Sequence, residues 1–214
     1  PSLIDANTEG YLPIQLSVFD QDGKLYKNFR IEVENGKRST INLKNFIDLE
    51  VGEFGTFAVF HLHQASSISK LNCFVAERGY LSYRYNNAPL RSYVHGNLDA
   101  VALLKDGNFE LLGANSFLKR RFQLQYVNEG AGSTELFLVN PTREHKRIDF
   151  EFFTQHGMRV GESLSINIAP GGIRGMTRQI DSKGPVYAVI TSKLVMARPL
   201  VFTFENAKMD VFHG

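Results

Sequence analysis

Apolar side chains recur at every second position over much of this chain, and that period excludes a helical protein. Ile14-x-Leu16-x-Val18, Phe29-x-Ile31-x-Val33, Phe122-x-Leu124-x-Tyr126, Ile148-x-Phe150-x-Phe152 and Leu164-x-Ile166-x-Ile168 all alternate. Successive side chains of a strand point to opposite faces, so each run buries one face and wets the other. Phe57–Leu62 and Val186–Ile190 are apolar on both faces and read as strands in the middle of a sheet. Turn signals separate the runs: Asp22-Gly23, Asn35-Gly36, Asp106-Gly107, His156-Gly157 and Pro170-Gly171-Gly172. This is the punctuation of a sandwich or barrel. Short helical turns near Lys44–Ile47 and Asn115–Leu118 are compatible with the pattern, and no longer amphipathic helix is. The expected class is all-β.

A second regularity lies above the strands. Leu3–Gly23 can be laid over Phe137–Gly157 without a gap, so that Thr8 meets Thr142, Ile14 meets Ile148, Phe19 meets Phe153, Gln21 meets Gln155 and Gly23 meets Gly157. One residue further on, Phe29, Ile31, Val33 and Gly36 meet Leu164, Ile166, Ile168 and Gly171. Later, Ala58-Val59 meets Ala188-Val189 and Phe74 meets Phe202. Any two hairpins share apolar alternation, but a shared Phe-x-Gln-x-Gly turn and a common order of elements point to duplication. The expected organisation is two related β-sandwich-like repeats packed together. The first covers residues 1–77 and the second 122–214. Residues 78–121 form an unduplicated connecting or added-strand segment, which lacks the composition of a flexible linker.

Within the second repeat, Leu136–Val139, Asn140-Pro141-Thr142, Ile148–Phe153, Gly157, Ile166-x-Ile168-x-Pro170-Gly171-Gly172 and Val186–Ile190 give residues 136–204 a pattern that resembles the sensory-rhodopsin-transducer type of small β-sandwich. The resemblance implies a sandwich fold and a binding, oligomerising role. It carries over no functional residue.

The formal charge of +2 exerts no global pull toward nucleic acid or an anionic membrane. The basic clusters Lys119-Arg120-Arg121 and Arg143–Arg147 read as solvated strand ends. The single cysteine, Cys73, excludes an intrachain disulfide and sits in an apolar run as a small hydrophobe. A chain of this kind fits a reducing compartment, so a cytoplasmic location is favoured, with a removed leader compatible with a start at Pro1. No apolar run is long enough for a transmembrane helix.

Two places offer chemistry. His61-x-His63 would put both imidazoles on one strand face, where they could share a divalent metal ion with a third ligand from His95, Asp99 or Glu77. The structural alternative is two histidines on an outer sheet face. The second place is Arg78–Asp99, with Tyr83, Arg84, Tyr85, Arg91, Tyr93 and His95 among its residues. Tyrosine offers a flat apolar face with a polar tip and arginine a planar donor fork, the types enriched where proteins recognise partners. Their structural alternative is ordinary strand formation. Pro170-Gly171-Gly172 precedes no helix and reads as a hairpin turn rather than a phosphate loop. No carboxylate pair is placed for acid–base work and no nucleophile elbow is present.

The leading expectation is a non-catalytic binding or interaction protein, without a cofactor, that uses the Tyr/Arg/His segment on a protein or small-molecule ligand and self-associates through exposed sheet edges. The rival is a metal-binding protein or metal-dependent enzyme centred on His61 and His63.

Overall fold

The alternating runs become strands, and antiparallel pairing follows from the turns between them. The computed structural model describes residues 11–34, 37–50, 52–62, 80–95, 102–105, 108–111, 115–128, 133–179, 184–195, 198–205 and 208–214. Its strands are β1 (Tyr11–Phe19), β2 (Leu25–Glu34), β3 (Thr56–His61), β4 (Tyr80–Tyr83), β5 (Ser92–His95), β6 (Ala102–Lys105), β7 (Asn108–Leu111), β8 (Asn115–Asn128), β9 (Ser133–Val139), β10 (Lys146–Thr154), β11 (Leu164–Ile168), β12 (Ile173–Gln179), β13 (Val186–Leu194), β14 (Leu200–Glu205) and β15 (Lys208–His213). The protein is all-β, apart from a single 3-10 turn at Leu43–Asn45 among the described residues. No described helix is long and apolar enough to cross a membrane.

Two four-stranded sheets form the main body, ordered β11-β10-β13-β8 and β12-β9-β14-β15. Their facing sides share one core. Ile148, Phe150 and Phe152 of β10 and Val186, Ala188 and Ile190 of β13 meet Leu136 and Leu138 of β9 and Val201 of β14. Phe150 and Phe152 are fully buried, and each side chain of that size contributes about 1.5–3 kcal/mol by leaving water. The burial of β9 alternates strictly along its length, as the period-two pattern requires.

Residues 11–61 build a three-stranded sheet ordered β2-β1-β3. Ile14, Leu16 and Val18 are buried on the central strand. The dense run Phe57–Leu62 was expected in a sheet centre. Among the described residues its strand, β3, pairs only with β1. Phe60 is buried while Val59 is 46% exposed, so β3 alternates like an end strand. Asn115–Leu118 is likewise not helical but opens the long strand β8.

The two portions meet turn to turn. The β1–β2 turn closes with Gly23 N donating to Asp20 O at 3.1 Å, and Gly23 sits at φ +79°. Gln21 O accepts from Ile173 N at 2.9 Å and from Arg174 Nη1 at 2.6 Å, and Asp22 pairs with Arg174. A Cβ on Gly23 would lie 2.3 Å from Pro170 O, and one on Gly172 would lie 2.9 Å from Gln21 O. Glycine is needed at both positions because two backbones touch there.

The Pro170-Gly171-Gly172 segment is not a hairpin turn. It carries the chain from β11 in one sheet to β12 in the other, so no ladder holds it. Buried Asn140, on the neighbouring crossing between β9 and β10, does so instead. Gly171 N donates to Asn140 O and Asn140 N to Gly172 O, both at 2.9 Å. The Asn140 amide donates to Ile168 O, Ala169 O and Glu144 O, and its Oδ1 accepts from Thr142 Oγ1 at 2.7 Å.

Candidate binding groove

Strands β4 and β5 form a hairpin, Tyr80↔His95 to Tyr83↔Ser92, that lies on the outer face of the β12-β9-β14-β15 sheet. Alternation decides what touches what. Leu81, Tyr83 and Val94 turn inward and pack with Phe202, Val211, Phe137, Leu200 and Phe204. Ser82 and Tyr93 share the opposite, exposed face. Hydrogen bonds help anchor the hairpin to the sheet: Ser92 Oγ donates to Met209 O at 3.0 Å, and His213 Nε2 lies 2.8 Å from His95 O.

Rings do most of the joining. Tyr83 meets Phe202 edge-on with centroids 4.9 Å apart, Phe202 meets Phe137 at 5.6 Å, and Phe137 meets Phe54 at 5.2 Å. This edge-to-face chain runs from the hairpin across the sheet to the first portion, in the geometry aromatic quadrupoles favour. Burial among these rings pushes the Tyr83 phenol above its ordinary pKa of 10.0, since the charged phenolate is the form that loses most on leaving water.

Beyond Tyr83 the β4 ladder ends, and Asn86 takes a left-handed conformation at φ +48°, which asparagine tolerates better than most residues. A groove of about 400 Å³ lies beside this segment. Phe137, Phe202, Phe204 and Met209 of the sheet line it together with Tyr85 and Asn86, and Arg84 and Glu135 supply one charge of each sign. Tyr85 tilts against Phe204 at 5.3 Å. The walls offer flat, polarisable surface for an apolar or planar group, and the charges offer one acceptor and one donor. Among the described residues no acid–base pair or nucleophile lines the groove.

The Tyr/Arg/His segment thus divides. Arg84 and Tyr85 come together at the groove, Arg84 exposed, while Tyr83 packs against Phe202 between hairpin and sheet. Arg91 and Tyr93 are exposed away from the groove, Arg91 donating to Ser82 Oγ at 3.2 Å. His95 is half-buried at the hairpin's end, its ring 4.6 Å from that of His213. Of the metal candidates, His61 closes β3 opposite Ile14, its side chain lying outside the described residues. His63, Glu77, Asp99 and Cys73 also lie outside them. Among the described residues no three His, Cys, Asp or Glu side chains gather as a metal site. Sequence reasoning missed the sheet half of the groove, Phe137, Phe204 and Met209, because these residues belong to strands far away in sequence.

No protein-family model matches the chain, and neither does any curated protein. A solved structure, "Crystal Structure of Thermotoga maritima 1070", is similar over 48% of this chain and 92% of that one, at 15% sequence identity and a TM-score of 0.31.

Proposed function

We propose that this chain is a non-catalytic interaction protein whose groove beneath Arg84–Asn86 takes an apolar or aromatic side chain of a partner protein. The observation that carries the reading is the incomplete cover. The β4–β5 hairpin seals one part of an aromatic sheet face and leaves the rest open beside Arg84 and Glu135. Aromatic residues and arginine around a concave apolar site are what binding hot spots use.

The scaffold reading includes duplication. The orders β2-β1-β3 and β11-β10-β13 have matching registers: Ile14↔Ile31 and Leu16↔Phe29 correspond to Ile148↔Ile166 and Phe150↔Leu164. The turns correspond as well. Gly157 N donates to Thr154 O at 2.9 Å as Gly23 N does to Asp20 O, and the two glycines have φ +78° and +79°. In the third strand the register asks for a correction of one residue. Ala58 lies opposite Ser17 and Val189 opposite Glu151, so Ala58 corresponds to Val189 and not to Ala188. The pattern-level likeness of residues 136–204 to sensory-rhodopsin-transducer-type sandwiches accords with a binding scaffold.

The methionines test the groove. Met209 lines it, whereas Met158 and Met176, among the other three of the chain's four methionines, do not. With ¹³C-methyl methionine labelling, titration of short peptides with a central Phe or Leu should shift the Met209 methyl signal, and Phe204→Ser should abolish the shift. Movement of the other three signals with Met209 unchanged would place binding elsewhere and refute the assignment.

A further inference from the structure

Strand β8 carries an irregularity that the groove does not explain. Arg120 pairs with Ser192, and the next partners are Asn115 and Leu194. β8 therefore inserts Ser116–Lys119 opposite the single residue Lys193. The surplus is extruded: Phe117 is 98% exposed and Leu118 78%. The bulge is fastened from behind. Buried Ser116 donates its hydroxyl to Leu118 O at 2.7 Å and accepts from Arg120 Nε at 3.2 Å. Bulges of this kind re-aim side chains, and here they aim two large apolar ones into water.

The surroundings are cationic. Lys119 follows the extruded pair and lines a cavity of about 320 Å³ with Lys146, Arg147 and Lys193. Arg120 and Arg121 continue the strand. Lys146 is buried and held by Glu144 at 2.9 Å. Asp149 engages Lys119 at 3.5 Å and Arg147 at 2.9 Å, and Glu151 engages Arg121 at 3.8 Å. Arg159 also reaches Glu151 at 3.9 Å; among the described residues these three carboxylates are outnumbered by the cations around them, and Lys193 has no acidic partner. Two basic clusters separated in sequence converge because β8 and β10 both flank β13.

We infer that this end of the sheet docks on an anionic phospholipid surface, with Phe117 and Leu118 entering the acyl boundary and the cations remaining at the headgroups. The apolar pair protrudes and forms no groove, so it suits a soft, deformable partner. Net positive charge around an apolar tip is the layout of an interfacial anchor. Long cationic side chains can hold their charge at the headgroups while their stems lie along the boundary.

Co-sedimentation of the full chain with vesicles decides the matter. Binding is expected to phosphatidylcholine vesicles containing phosphatidylserine and not to phosphatidylcholine alone. It should fade toward about 1 M salt, where screening acts within about 3 Å. Phe117→Ser/Leu118→Ser and, separately, Lys119→Glu/Lys193→Glu should each lower partitioning by about tenfold or more with the thermal midpoint within a few degrees of wild type. Absence of binding to anionic vesicles would overturn the inference and leave the extruded pair to a protein partner. Full binding by the Phe117/Leu118 variant would also overturn it, because adsorption would then rest on charge alone.

Discussion

Replacing Gly23 and Gly157 by alanine, one at a time, separates the intrinsic demand of a turn from the contact made across it. Both glycines occupy the same left-handed position, at φ +79° and +78°. A Cβ on Gly157 meets nothing within 4 Å, whereas one on Gly23 lies 2.3 Å from Pro170 O. Gly157→Ala therefore carries only the backbone cost, about 1–2 kcal/mol. Gly23→Ala carries that cost and a clash. Carbon–oxygen contacts settle near 3.3 Å, so the turn must retreat by about 1 Å. That retreat takes the 2.9 Å bond from Ile173 N to Gln21 O out of hydrogen-bond range, and the Arg174 bond to the same carbonyl stretches with it. Losing both adds about 2–3 kcal/mol, while the exposed Asp22–Arg174 pair adds little. Urea denaturation reads the difference directly: the Gly23→Ala midpoint should fall below that of Gly157→Ala by about 1 M. Equal midpoints would refute the argument, because they would mean that the β1–β2 turn does not bear on the Pro170 crossing.

Asn140→Ala should lower stability by about 3 kcal/mol, because the buried amide serves three carbonyls and Thr142, and cavity and unmet partners add. A thermal midpoint reduced by about 10 °C in calorimetry checks it. Asp149 should make stability pH-dependent. The Ser165 hydroxyl at 2.7 Å is the main cause holding its carboxyl below the ordinary value, Arg147 and Lys119 adding to the effect and burial opposing it. A depressed folded-state pKa means stability present above the unfolded value of 3.8 and lost as pH falls through the folded one. Asp149→Asn should therefore be less stable than wild type near neutrality, and the two urea midpoints should converge in acid. A gap that stays constant with pH would count against this account.

The hairpin turns were legible because their chemistry is local. Asp22-Gly23 and His156-Gly157 needed a left-handed glycine and have one. The strand faces were legible for the same reason, and β10 buries Ile148, Phe150 and Phe152, the side chains that its alternation nominates. What escaped was the pairing of distant elements. The basic clusters at Lys119 and Arg143 read separately as solvated ends, and only the order β10-β13-β8 brings them to one cavity. The Pro170-Gly171-Gly172 segment has hairpin composition but joins two sheets, because Asn140, far back in sequence, supplies the hydrogen bonds a ladder would have given. Ala58 was matched to Ala188 on identity, yet Ala58 pairs with Ser17 and Ala188 with Phe152, so under the proposed duplication the pleat sets Ala58 against Val189. Tyr83, Arg84 and Tyr85 could be nominated as a group, but the alternation that packs Tyr83 against Phe202 and leaves Arg84 exposed became visible only with the sheet beneath them.

The edge-to-face chain Tyr83–Phe202–Phe137–Phe54 has a consequence for how the parts respond to temperature. The strands within each sheet are held by backbone ladders, but the hairpin is held to its sheet mainly by buried rings. Apolar burial loses its driving force on cooling, while strand pairing has no such dependence built into it. Cold therefore loosens the cover before it loosens the sheets. The floor of the groove and the joint to the first portion share Phe137, so chilling should widen the groove and slacken that joint together.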